Sequence, residues 1–360
     1  MIQRIASKVI QVKSICFASK IGIGMVFLVL FSQCNNSTAS RQPETPGLEA
    51  KADSLGAVPP PVAKPAGYDT AQYLHLVSQL SRNQLATPWP FPEVFPKAGA
   101  ILPFKRIVAY YGNLYSTRMG ILGGLPPDEM LEKLKQEVIN WEKADSTTTV
   151  LPALHYIAVT AQRDPGKNKK YRLRMPFKEI DKVLEMAERI DACVFLDIQV
   201  GHSTLQEEIP ALKEYLKKPN VHLGIDPEYS MKGGEVPGRK VGTFDAEDIN
   251  YATDYLAQLV KEFDLPPKVL VVHRFTKGMV TNARQIKVNP EVQVVMNMDG
   301  FGNKGKKLDS YKLSVTTEPV QYAGFKIFYK NDAERSETKK TMQPEEVLAL
   351  HPVPVYIQYQ

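Results

Sequence analysis

From Arg106 onward, short apolar runs alternate with stretches in which apolar residues recur every three to four positions. The first pattern is that of buried strands, the second that of helices with one covered face. Strands are predicted at Ile107–Asn113, Val150–Val159, Cys193–Gln199, Val221–Glu228, Val269–Phe275, Val292–Asp299, Phe325–Lys330 and Val355–Tyr359. Helices are predicted near Asp128–Lys143, Phe177–Ile190, Thr204–Lys217, Ala246–Phe263, Lys277–Lys287, Lys307–Leu313 and Pro344–Leu350. Strand–helix alternation implies parallel strands joined by right-handed crossovers. Eight such units over 106–360 fit an α/β fold of the (β/α)8 TIM-barrel type. An open doubly wound sheet is the rival, but no glycine-rich phosphate loop follows the first strand. The chain ends on strand eight, which leaves no room for an eighth helix. Asp69–Leu85 also has helical spacing, and packing across strands one and eight would fill that gap.

The region before the barrel reads differently. Arg4, Lys8, Lys13 and Lys20 precede an apolar run from Ile21 to Phe31, the length of a signal h-region and too short to span a bilayer. Cys34 follows at once and opens the polar run Asn35 to Thr38. That arrangement resembles a bacterial lipoprotein processing site, so 1–33 is expected to be a signal peptide and Cys34 the lipid attachment point. The Pro-rich segment 34–66 reads as a tether, and 67–105 as the N-terminal helix with a Pro- and aromatic-rich connector. The expected protein is exported and membrane-anchored. Cys193 would then be its one free thiol, buried in strand three, with no disulfide framework.

Composition narrows the remaining choices. The 360 residues carry a net charge of +6, not gathered in one block, so no nucleic-acid partner is expected. Mean hydropathy of −0.25 excludes a polytopic membrane protein, and 23% charged residues of both signs fit an ordered domain. No cofactor motif and no dedicated metal-ligand set is expected.

Candidate chemistry sits at the C-terminal ends of the strands, the ligand face of such barrels. Strand one ends in Tyr111 and Asn113, strand three in Asp197 and Gln199, and strand four in Asp226, Glu228 and Tyr229. Strand five ends in His273 and Arg274, strand six in Asn297 and Asp299, strand seven in Tyr329, and strand eight in Gln358. The two-residue pleat separates aliphatic positions such as Val194, Leu196 and Ile198 from Asp197 and Gln199, so the polar set can face the barrel mouth. Buried carboxylates are costly unless paired or used. Asp197, Asp226, Glu228 and Asp299 are therefore the candidate catalytic set, and the others named here are candidate substrate contacts. His155, among Pro152, Leu154 and Tyr156, reads instead as a core histidine.

Three stretches resemble strands one, four and six of the chitinase-type glycoside hydrolases: Ile107 to Asn113, Leu223 to Tyr229 with its Asp-Pro-Glu, and Met296 to Asp299. The resemblance implies Glu228 as general acid, Asp226 as its orienting partner and Asp299 as the aspartate near the reacting sugar. Gly224, Val221 and Met298 depart from the family pattern, against chemistry assisted by a substrate N-acetyl group. The chain is also similar to secreted bacterial proteins of unassigned function. The expectation is a lipid-anchored glycan hydrolase. Two alternatives stay open: a non-catalytic glycan-binding lipoprotein, and a metal-dependent hydrolase using Asp197, Asp226, Glu228, His273 and Asp299 as hard ligands.

Overall fold

The computed structural model describes residues 67–82 and 94–360. The signal-peptide, Cys34 and tether expectations, and the end of the Asp69–Leu85 helix, lie outside the described residues. No helix among the described residues is long and apolar enough to cross a membrane.

Eight parallel strands close on themselves: β1 Lys105–Gly112, β2 Thr149–Ala161, β3 Cys193–Ile198, β4 Val221–Ile225, β5 Lys268–Arg274, β6 Val292–Met298, β7 Tyr322–Ile327 and β8 Tyr356–Tyr359. Ile107 pairs with Leu151 on one side and Tyr356 on the other, which shuts the barrel. A short strand, Arg172–Arg174, runs antiparallel to the end of β2.

The pleat divides the core. Val194, Leu196 and Ile198, with Leu223, Leu270, Val272, Val294 and Met296, form the outward layer under the helices. Ile107, Ala109, Ala153, Phe195, Val269, Val271 and Val295 fill the lower interior. The helices supply the matching apolar stripes. In α2 (Pro127–Ala144) these are Met130, Leu131, Leu134 and Trp141, with Asp128 and Glu129 at its positive end.

α1 (Thr70–Leu80) is present but does not take the place of an eighth helix. Its buried Tyr73 and Val77 join the interior cluster at the N-terminal end of the barrel, with Leu102, Tyr322 and Tyr356. Tyr73 also meets the rings of Phe95 and Phe104. The outer groove between β8 and β1 is filled by rings: Tyr110 and Tyr359 from the strands, Trp141 from α2, and Tyr329 from the short helix Tyr329–Arg335. α1 is thus a stopper for the barrel base. Tyr73→Ala is expected to cost about 3 kcal/mol of unfolding free energy. Urea denaturation checks this, and a loss under about 1 kcal/mol would show α1 to be dispensable.

Four elements differ from expectation, the first being strand four, which stops at Ile225 and gives way to a 3-10 turn at Pro227–Tyr229. Lys277–Lys287 is not a helix: two 3-10 turns flank Val280–Thr281, which pairs with Phe244–Asp245. The Arg274 guanidinium binds the carbonyls of Lys277 and Val280, and Asn282 is left-handed at φ 55°. Thr204–Lys217 breaks at Leu212 into Leu205–Ala211 and Lys213–Leu216, and the first piece contains Pro210, which has no N–H to donate to the carbonyl four residues earlier. Strand seven stops at Ile327, because Asp332 accepts a hydrogen bond from Phe328 N and starts the helix Tyr329–Arg335 there.

Candidate active site

The strand register carries one inward phase around the upper barrel. Tyr111 stands beside His155, and His273 beside Asn297. Asp197 stands beside Gly224 on β4. Above them a cavity of about 510 Å³ opens at the C-terminal mouth. Tyr111, Gln199, Asp226, Glu228, Asp299 and Lys326 form its polar floor and wall, and Tyr229, Phe275, Phe301 and Phe328 its aromatic side.

Glu228 is presented by a rigid turn. Asp226 Oδ1 accepts from the Glu228 N–H at 3.0 Å, and Pro227 fixes φ at the start of a 3-10 turn. Partial burial, reinforced by the negative charge of Asp299, pushes the Glu228 carboxyl up to about 7. Asp226 is buried at the cavity edge, with Gln199 Nε2 donating to it at 3.3 Å. Burial and the charges of Glu228, Asp197 and Asp299 outweigh His273 and hold Asp226 well above its ordinary value.

Asp299 lies in the opposite environment. Burial alone would raise it, but Lys326 and His273 overcome that and hold it below its ordinary value. Lys326 Nζ is 3.0 Å from Oδ1, and His273 Nδ1 is 2.9 Å from Oδ2. Lys326 also lies 3.8 Å from the centre of the Tyr111 ring, a cation–π contact that holds it over the floor.

Asp197 sits below the floor, wholly buried. Tyr111 Oη donates to its Oδ2 at 3.1 Å. Its Oδ1 is 3.3 Å from His155 Nε2 and 3.4 Å from His273 Nε2. Burial opposes the charge on both imidazoles. It carries His155 down to about 4, whereas Asp197 and Asp299 override it at His273 and raise that ring to about 10.

Several expected contacts lie elsewhere. Arg274 faces outward, paired with Glu318, because it follows inward-facing His273 on the pleat. Tyr329 is in the helix Tyr329–Arg335 on the outer wall, bonded to Tyr110 and Glu137. Asn113 fastens the loop after β1 through the Ile157 carbonyl and the Tyr115 N–H. Asn297 and Gln358 are fully buried inward and do not line the cavity, and Gln358 Nε2 donates to the Tyr356 hydroxyl. Of the four acids and one histidine considered as hard ligands, Asp197 and His273 alone share a compact donor cluster among the described residues, and its third member is His155. Lys326 was not anticipated. Its position between outward-facing Phe325 and Ile327 was the available signal.

No family model matches the chain, and no curated protein is similar to it in sequence. A GH5-4 broad specificity endoglucanase from Clostridium longisporum is 11% identical, covering 66% of this chain and 76% of that one, with a TM-score of 0.38. A ruminal GH26 endo-β-1,4-mannanase is 11% identical over 71% of this chain and 59% of that one, TM-score 0.34. Burkholderia cenocepacia dihydropteroate synthase stands close by at 9% identity, with 72% and 86% covered and a TM-score of 0.33. Glycosidases and a synthase score alike, so these likenesses select no chemistry.

Proposed function

We propose that the protein is an exported, lipid-anchored glycoside hydrolase in which Glu228 is the general acid and Asp299 its ionised partner. One observation carries this reading: two carboxyls lining one cavity are pushed in opposite directions, Glu228 up to about 7 and Asp299 below its ordinary value. Glycosidic cleavage requires that division of labour. Glu228 gives its proton to the leaving glycosidic oxygen as the carbon–oxygen bond breaks. The Asp299 carboxylate meets the positive charge growing at the sugar carbon, directly or through an attacking water.

Asp226 orients Glu228 through its backbone, and burial holds its own carboxyl well above its ordinary value. Asp197, sealed beneath Tyr111, acts on His273 and Tyr111 and not on substrate. The rings of Tyr229, Phe275, Phe301 and Phe328 offer apolar faces to a sugar whose hydroxyls meet the polar floor.

Screening polysaccharides and oligosaccharides against the full chain and its Glu228→Gln variant tests this. Reducing-end release by the wild type alone supports the hydrolase. Equal binding of a glycan by both, with no cleavage by either, supports a binding protein. The anchor has its own test: Cys34→Ser should move the protein from the membrane fraction to the soluble one, and unchanged membrane association would contradict lipidation.

A further inference from the structure

We propose that His155, Asp197 and His273 form a binding site for one transition-metal ion of the zinc class, beneath the cavity floor. The proposal is independent of the glycan reading, because none of the three residues lines the cavity.

Geometry is the first support. His155 Nε2 and His273 Nε2 stand 3.3 and 3.4 Å from Asp197 Oδ1, and all three atoms lie within 4.8 Å of one another. Donors held about 2.0–2.1 Å from a tetrahedral ion are themselves roughly 3.3–3.4 Å apart. These three atoms are fully buried, yet none makes an aligned hydrogen bond. Asp197 Oδ1 thus meets both rings at ion-pair distance without an aligned hydrogen bond, a spacing that lets the three atoms share a third party.

The far side of each ligand is already committed. His155 Nδ1 is 2.6 Å from the Tyr356 hydroxyl, His273 Nδ1 is 2.9 Å from Asp299 Oδ2, and Asp197 Oδ2 accepts from Tyr111 at 3.1 Å. Outer partners of this kind fix ring orientation in metal sites and leave Nε2 free for the ion.

Gly224 gives a separate indication. A Cβ there would lie 2.4 Å from both Asp197 Oδ1 and His155 Nε2. Gly224 is inside β4 and its φ lies outside the left-handed region, so no turn requires a glycine. Its missing side chain leaves room beside the two donors.

Two imidazoles and one carboxylate suit zinc, cobalt(II) or iron(II). Calcium and magnesium take oxygen ligands and larger ligand sets. The ion would place its charge between Asp197 and Asp299, where a proton on His273 otherwise serves.

The test uses the purified full chain, stripped with chelator and titrated with zinc chloride by calorimetry. One equivalent is expected to bind and to raise Tm. Asp197→Asn and His155→Gln should each weaken binding at least 100-fold, whereas Glu228→Gln should bind as the wild type does. Cobalt(II) loading of the wild type, which needs no variant to fold, should give visible ligand-field bands without a thiolate charge-transfer band. Failure of the wild type to bind zinc, absence of the cobalt bands, or binding unchanged in both ligand variants would overturn the proposal.

Discussion

Glu228→Gln is expected to lower kcat on any cleaved glycan by about a thousandfold, the contribution of a positioned general acid, and to stabilise the fold above pH 7. The two effects share one cause. The Glu228 carboxyl is raised from its ordinary 4.5 to about 7 by burial and by Asp299. The folded chain therefore holds this proton more tightly than the unfolded one. As pH rises from about 4.5 through 7, stability is lost, and above 7 the folded state carries the full cost of the ionised group. Glutamine removes that cost while keeping shape. Partial exposure limits the gain to about 2 kcal/mol, less than a shift of this size gives at about 1.4 kcal/mol per unit. Near pH 4 the two proteins should be equally stable. Denaturation curves at pH 4 and pH 8 check this, and equal stability at both would mean that the site does not strain Glu228. In the same terms, wild-type turnover should fall as pH rises through 7, when the acid loses its proton.

Lys326→Met is expected to destabilise the fold by about 3 kcal/mol at neutral pH, because it leaves a buried carboxylate without one of its two cations. Lys326 and Asp299 are 3% and 8% exposed, so solvent cannot take over the pairing. Without the cation, which opposes the upward shift of Glu228, the alkaline limb of activity should also move to higher pH. Adding Asp299→Asn removes the stranded charge and should recover most of the lost stability, leaving turnover abolished. A double-mutant cycle in urea measures the coupling. Additive losses with no recovery would show that the ion pair does not organise the cavity.

The barrel was legible because a closed parallel sheet needs a strict two-residue pleat in every strand. Seven strands keep it throughout, with Val194, Leu196 and Ile198 on one side and Asp197 on the other, and strand two breaks it only at the register shift between Ile157 and Val159. The position of α1 was not legible. Helical spacing shows that Tyr73 and Val77 share a buried face, but not whether that face meets the barrel wall or its base. Pleat phase also placed Asp197, Asp226 and Asp299 inward. Applied strictly, it would have sent Arg274 outward as the neighbour of His273, and brought Lys326 inward between Phe325 and Ile327. Tyr329 was misplaced because Asp332, three residues later, ends strand seven by capping Phe328. His155 was read as core, and it is wholly buried. Its contact with Asp197 joins strands two and three, and no local pattern in the sequence carries that information.

The division of roles between Glu228 and Asp299 is tested most directly by titrating Glu228 itself. Carbon-13 NMR of the full chain labelled at the glutamate carboxyl, with the resonance assigned by its loss in Glu228→Gln, reads the protonation state without any substrate. The account predicts a midpoint near pH 7. A midpoint near the ordinary 4.5 would leave Glu228 ionised at neutral pH and would contradict its role as the acid.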